Sequence, residues 1–154
     1  MKNTLLIVIA LVSIHCIGQR GDYKNISEKN GKIGIGTTNP DELLTVKGKI
    51  HTQEVRVDLQ GAVAPDYVFE WYAKGFSTLK PDYQLLSLEA LDAFVRKHKH
   101  LPKIPSAETL EKEGLSLKQM NLLLLEKVEE LTLYTLQQQK EIDALKEKLS
   151  ALKE

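Results

Sequence analysis

Three groups of residues in this chain have types that could do chemistry. Gly31, Gly34 and Gly36 are closely set glycines of the kind that let backbone N–H groups cradle a phosphate. Their spacing is not G-x-G-x-x-G, and no Lys-Ser/Thr follows. The cluster Thr37-Thr38-Asn39-Pro40-Asp41 stands where a helix would have to begin. They read as β-turn positions. His98 and His100 flank Lys99, with His51 a remote third ligand. A metal site needs that third ligand and a spacing that turns both rings to one side, so the pair reads as solvated residues at a helix C-terminus.

Asp66, Glu70 and Asp82 lie in sequence beside Trp71, Tyr72 and Tyr83, the mixture that lines a sugar-binding cleft. Aromatics of this kind more commonly serve core or interchain packing. No nucleophile, base and positioning partner can be assembled from spacing. The expectation is a protein that is not an enzyme and carries no cofactor and no metal.

The residues with the clearest pattern do physical rather than covalent chemistry. Ser116 and Gln119 form a capping box, with Leu115 and Met120 at the staple positions, and neither Gly nor Pro interrupts the chain from Leu117 to its end. A helix of that length spans about 55 Å. Along it Leu117, Leu124, Leu131, Gln138, Leu145 and Leu152 fall at heptad position d, and Asn121, Val128, Thr135, Ile142 and Leu149 at a. Eight of these eleven positions are apolar and the 3-4 spacing never slips. A lone helix would leave that seam in water, forgoing about 1.5–3 kcal/mol for each large aliphatic side chain. The strict period predicts a left-handed parallel coiled coil between copies of the chain. Glu141 at g and Lys146 at the following e suit a parallel interchain pair. Thr135 and Gln138 form adjacent polar layers expected to fix register. The broader apolar face at Met120, Leu122, Leu123 and Leu125 is where the preceding segment is expected to dock.

The rest of the chain must position this helix. Lys+Arg and Asp+Glu balance at 21 each, so no net field draws the protein to nucleic acid or anionic lipid, and no nucleic-acid partner is expected. Met1-Lys2, the apolar run Leu5–Ile14 and the small residues Cys16 and Gly18 read as a cleaved signal peptide over residues 1–18, hence an exported protein, periplasmic, on the cell surface or released. Cys16 is the only cysteine; Ser13 and His15 stand where a lipid-modified cysteine normally has Leu and a small residue, so lipidation is the lesser alternative. Residues 19–32 are polar and read as a flexible lead-in.

Over residues 33–59 the apolar period is two, and the expectation is a β-rich stalk or head. Leu44, Val46 and Ile50 share one parity and Val55, Val57 and Leu59 the other, which implies two or three short strands with a bend at 51–54. Such strands carry too few large residues to be stable alone and are expected to intertwine between chains. Residues 60–115 form an aromatic-rich helical adaptor, with Ser87 capping a helix that turns Leu88, Leu91, Phe94 and Val95 inward and Ser106 capping a short turn ending at Gly114. Residues 116–154 are the coiled coil. The fold class is α+β.

Gly34-Ile35-Gly36-Thr37-Thr38-Asn39-Pro40, followed by Leu44-Thr45-Val46-Lys47-Gly48, resembles the repeat of phage tail-fibre-like proteins encoded by Bacteroidetes-type bacteria. Asp66–Glu70, His100–Ser106 and Leu125–Thr132 resemble the C-terminal region of the same secreted family. The resemblance spans about residues 31–142. It implies a homotrimer, with β-structure about a threefold axis and a terminal helical bundle that sets register, and it favours three copies over two. The Ser-Asp-x-Arg-x-Lys run of self-cleaving tail-spike chaperones is missing, so assembly carries over and autoproteolysis does not. The resulting expectation is a secreted structural and assembly protein whose partner is itself, with a cell-surface or secretion-machinery component as a further partner. The alternative is a cell-surface adhesin or carbohydrate-binding head.

Overall fold

The computed structural model describes residues 25–152. The expected signal peptide and Cys16 lie outside the described residues. The chain divides into two units, one ending at Val55 and one beginning at Arg56.

The first unit is built around a three-stranded sheet. Strands β1 (Ile26–Lys29) and β2 (Lys32–Ile35) form an antiparallel hairpin, and β3 (Leu44–Val46) runs parallel to β2. Asn30 and Gly31 turn the hairpin with φ of 54° and 75°, the paired left-handed conformation of a two-residue type I′ loop. A strand therefore occupies residues that the polar composition assigned to a flexible lead-in. Only Ile26 carries the apolar signal there, and the Asn-Gly dipeptide is what sets the hairpin.

The glycines of the turn motif are there for space and conformation. A Cβ on Gly34 would lie 2.3 Å from the Thr37 carbonyl oxygen and 2.8 Å from Ser27 Oγ. Gly36 has φ +73°, and its Cβ would lie 2.9 Å from the Lys47 carbonyl oxygen. Buried Thr45 closes the turn: its hydroxyl donates to Asp41 Oδ1 at 2.6 Å and accepts from the backbone N–H groups of Asp41 and Glu42 at 3.1 Å. The expected strand at Val55–Leu59 does not form. Among the described residues no strand follows β3, and Val55, Val57 and Leu59 are exposed. Strand pairing needs a partner ladder, and none is offered to this segment among the described residues.

The second unit contains four helices, α1 (Tyr67–Lys74), α2 (Leu88–His98), α3 (Ala107–Glu113) and α4 (Leu117–Ala151). Three of their starts are set by serines, as the sequence predicts. Ser87 Oγ accepts from Ala90 N at 3.2 Å, Ser106 Oγ from Thr109 N at 3.2 Å and Ser116 Oγ from Gln119 N at 3.4 Å. Gly114, in a positive-φ conformation, closes α3. Gly75 closes α1, a helix not anticipated from the sequence, by donating to the Trp71 carbonyl at 2.7 Å with φ 79°.

The core of this unit is small: Tyr67, Val68, Tyr83 and Leu133, with Trp71 and Leu85 packed against it. Tyr83 packs tilted on Tyr67 at 5.1 Å and edge-on to Trp71 at 6.2 Å. α2 contributes no buried residue. Leu88 and Val95, expected to point inward, are exposed, and Leu91 and Phe94 are half-buried. Its apolar face has no cover within one chain. α4 is 35 residues, about 52 Å, long. Among the described residues no helix is long and apolar enough to cross a membrane. The α+β class stands; a coiled coil and intertwined strands go beyond a single chain.

Candidate assembly interface

The candidate surface is α4, whose two sides differ: one is covered by the chain's own adaptor and the other is exposed. The adaptor docks on the side holding Glu126, Glu129, Leu133 and Tyr134, all buried. In the heptad frame these are positions f, b, f and g; the first three turn away from the a/d seam, and Tyr134 flanks it. The sequence places docking at Met120, Leu122, Leu123 and Leu125. It falls one to two turns later, while Met120 and Leu123 line a shallow groove with Pro105, Thr109 and Leu110 of the α3 region.

Glu126 is the centre of this docking. It is 1% exposed, and Tyr67 Oη and the ammonium groups of Lys103 at 2.7 Å and Lys127 at 3.0 Å all donate to its carboxylate. Lys80 Nζ stands 3.8 Å away and 4.8 Å above the Tyr67 ring. Burial pushes the Glu126 carboxyl up, but the hydrogen bonds from Lys103, Tyr67 and Lys127 outweigh it and bring the pKa down to about 2. Burial and the adjacent Glu126 carboxylate push Tyr67 well above the usual phenol range. Burial and the Glu130 carboxylate do the same for Tyr83.

These groups hold their protons or charges firmly. The carboxylate is saturated with donors and the phenols stay protonated, so the cluster acts as a clamp rather than as an acid–base pair. Lys103, with φ 68°, also lies 5.0 Å over the Tyr83 ring, so the Leu101–Pro105 segment is pinned to both α4 and the core. Glu129 is the exception. Its Oε2 is buried with no partner, and burial and the neighbouring Asp66 and Glu126 carboxylates raise its pKa.

Of the three acids weighed for a sugar cleft, Glu70 is engaged elsewhere. Glu70 accepts from Ser77 Oγ at 2.7 Å, Thr78 Oγ1 at 2.8 Å, Thr78 N at 3.0 Å and Lys74 Nζ at 2.9 Å, fastening the loop after α1. Those bonds, Ser77 first, hold its carboxyl far below the usual range. Trp71 belongs to the edge of the core, as packing predicts. His98 stacks on Phe94 at 4.3 Å, and His100 meets the same ring edge-on at 5.7 Å. Among the described residues no group of three His, Cys, Asp or Glu is placed to hold a metal ion.

The ten residues assigned to oligomerisation run along the other side. Leu117, Leu124, Val128, Leu131, Thr135, Gln138, Ile142, Leu145, Leu149 and Leu152 are all exposed, Leu131 and Leu145 at 64%. The two polar layers differ in a way spacing does not reveal. Thr135 Oγ1 donates to the Leu131 carbonyl at 2.9 Å, so its hydroxyl is satisfied within its own helix and its methyl is free to pack. The amides of Gln137 and Gln139 donate to Glu141 and Asp143, whereas Gln138 has no side-chain partner among the described residues. Sequence reasoning misses the Glu126 clamp because a glutamate at f reads as solvated; Lys103 and Tyr67, which bury it, lie far away in the chain.

The sheet of the first unit repeats the theme. Its register places Ile26, Ile33, Ile35, Leu44 and Val46 on one face, and none is buried. The opposite face carries Ser27, Gly34 and Thr45, covered by the 37–42 turn.

No protein-family model matches this chain, and comparisons with curated proteins and with solved structures return no match.

Proposed function

We propose that this chain is an exported, non-enzymatic structural and assembly protein that associates in parallel through α4, three copies in preference to two, and presents its sheet as a tail-fibre-like β module. One observation carries the reading: the chain's own core covers one side of α4 and leaves an a/d seam, apolar at eight of its eleven positions, in water on the other. Burying those side chains is worth about 1.5–3 kcal/mol each, and a second copy in register can bury all of them at once. The uncovered face of the sheet supports the same conclusion for the first unit, since a three-stranded sheet needs an apolar face buried to be stable. The resemblance to tail-fibre repeats favours three copies. Sedimentation velocity at micromolar concentration tests the proposal: a species of three chains is expected, and a stable monomer overturns it.

A second reading, an adhesin or carbohydrate-binding head, has one observation in its favour. Phe69, Tyr72 and Phe76 are exposed in and just after α1. Glu70, the acid among them, is already saturated by its own loop. A glycan array probed with the intact protein decides it; absence of binding removes this reading.

A further inference from the structure

An apolar groove runs along one flank of the α4 seam. It is lined by Leu124, Leu131 and Tyr134 of α4, with Leu91 of α2 and Leu101 of the following loop. In the heptad frame its floor is position g, at Lys127 and Tyr134, and its inner wall is position d. The adaptor forms the outer wall: Tyr134 Oη donates to the Leu86 carbonyl at 2.8 Å, which fixes the g side against the segment leading into α2. The e side of the same helix has no such cover. It presents Leu125, 46% exposed, and Thr132, whose hydroxyl donates to the Val128 carbonyl at 2.8 Å and so leaves its methyl outward.

We propose that this groove is the seat of a second copy of this chain, filled by the neighbour's Leu125 and Thr132. The inference rests on the parallel assembly proposed above. When two α-helices run parallel in register, the g flank of one faces the e flank of the next. The pairing joins a g residue to the e residue five positions later on the neighbour, so Lys127 of the groove floor meets Thr132, and Leu125, which meets Met120, stands at the level of Leu124, where the groove begins. The same rule brings Glu141, one heptad beyond Tyr134 on the g flank, to Lys146 on the neighbour's e flank. Both side chains are exposed, and their charges are complementary. One flank therefore offers a groove and then an acid, and the other offers an apolar knob and then a base.

Although the two flanks differ, the contact repeats around a closed parallel assembly, the g flank of each copy meeting the e flank of the next. The arrangement also accounts for α2. Its exposed Leu88 and Val95 share a helical face with Leu91, and a neighbour seated in the groove lies beside that face. The adaptor thus becomes part of the interface, bracing one copy against the next.

The test uses the full chain with Cys16→Ser and single cysteines, joined by a short bismaleimide. Leu91→Cys chains mixed with Leu125→Cys chains are expected to give a linked pair containing one of each, and neither variant alone gives a linked pair. Leu101→Cys in place of Leu91→Cys provides a second groove position in case Leu91 cannot be changed without loss of fold. Leu145→Cys, on the seam beyond the adaptor, reports the helix pairing itself by linking to its own kind. If Leu145→Cys links and neither groove variant links to Leu125→Cys, the groove has another occupant and this inference is overturned while the assembly survives. If nothing links, both fall.

Discussion

The two halves of α4 are the same helix under different constraints. From Glu126 to Tyr134 one side is buried by the chain's own adaptor, and Leu133 is only 2% exposed. From Thr135 to Ala151 every residue is exposed. The first half is ordered in cis, by a carboxylate held between a phenol and two ammonium groups. The second half has its seam, local pairs such as Gln139 with Asp143, which are worth a few tenths of a kcal/mol each, and one exposed tie to the adaptor, Lys140 Nζ donating to Tyr72 Oη at 2.8 Å. An isolated helical segment of that length is marginal in water. The difference teaches that one helix serves two structural roles. Its first half holds the adaptor, and its second half presents the seam that the proposed assembly would cover.

The sharpest way to break the comparison is to injure the seam alone. Leu131→Asp with Leu145→Asp is expected to abolish association, shifting the sedimenting species to one chain. It should leave the near-ultraviolet circular dichroism of the Tyr67–Tyr83–Trp71 cluster intact, because both residues are exposed on the seam. The converse injury, Glu126→Ala, strands the lysine charges and the Tyr67 hydroxyl at the docking face. It should cost about 3–5 kcal/mol in urea unfolding of the adaptor.

The pH dependence follows from the same carboxyl. Its folded pKa of about 2 lies below its ordinary value of 4.5. The Glu126 contribution is thus fully present above pH 4.5 and is lost as pH falls through 2. The difference amounts to about 3 kcal/mol, measurable as a falling denaturation midpoint between those values. Glu129 has the opposite sign: its raised pKa means that the ionised form destabilises the fold above its ordinary pKa. Glu129→Leu should stabilise by about 1 kcal/mol at pH 7 and by less at pH 4, where the native carboxyl takes up its proton.

What is legible in the sequence is local. Ser87, Ser106 and Ser116 announce three helix starts because a cap bonds within three residues, and the heptad announces the seam because its period is internal to one helix. The Asn30-Gly31 hairpin is equally local, but the polar residues around Ile26 mask its strands. Helix α1 is hidden because Asp66 and Gly75, its real boundaries, enclose aromatics without a clean period. Glu126 is illegible for a different reason: its burial depends on Tyr67, 59 residues away, and on Lys103, 23 residues away. Leu91 and Val95 read as core because an amphipathic face predicts burial without saying in which copy the covering atoms lie.

The proposal that copies of the chain cover the side of α4 left bare by the adaptor carries every other inference about assembly. Hydroxyl-radical footprinting of the intact protein at micromolar concentration tests it residue by residue. Leu131 and Leu145 are expected to be as protected as Leu133, although only Leu133 is covered within one chain. Full reactivity at Leu131 and Leu145 beside a protected Leu133 would contradict the account.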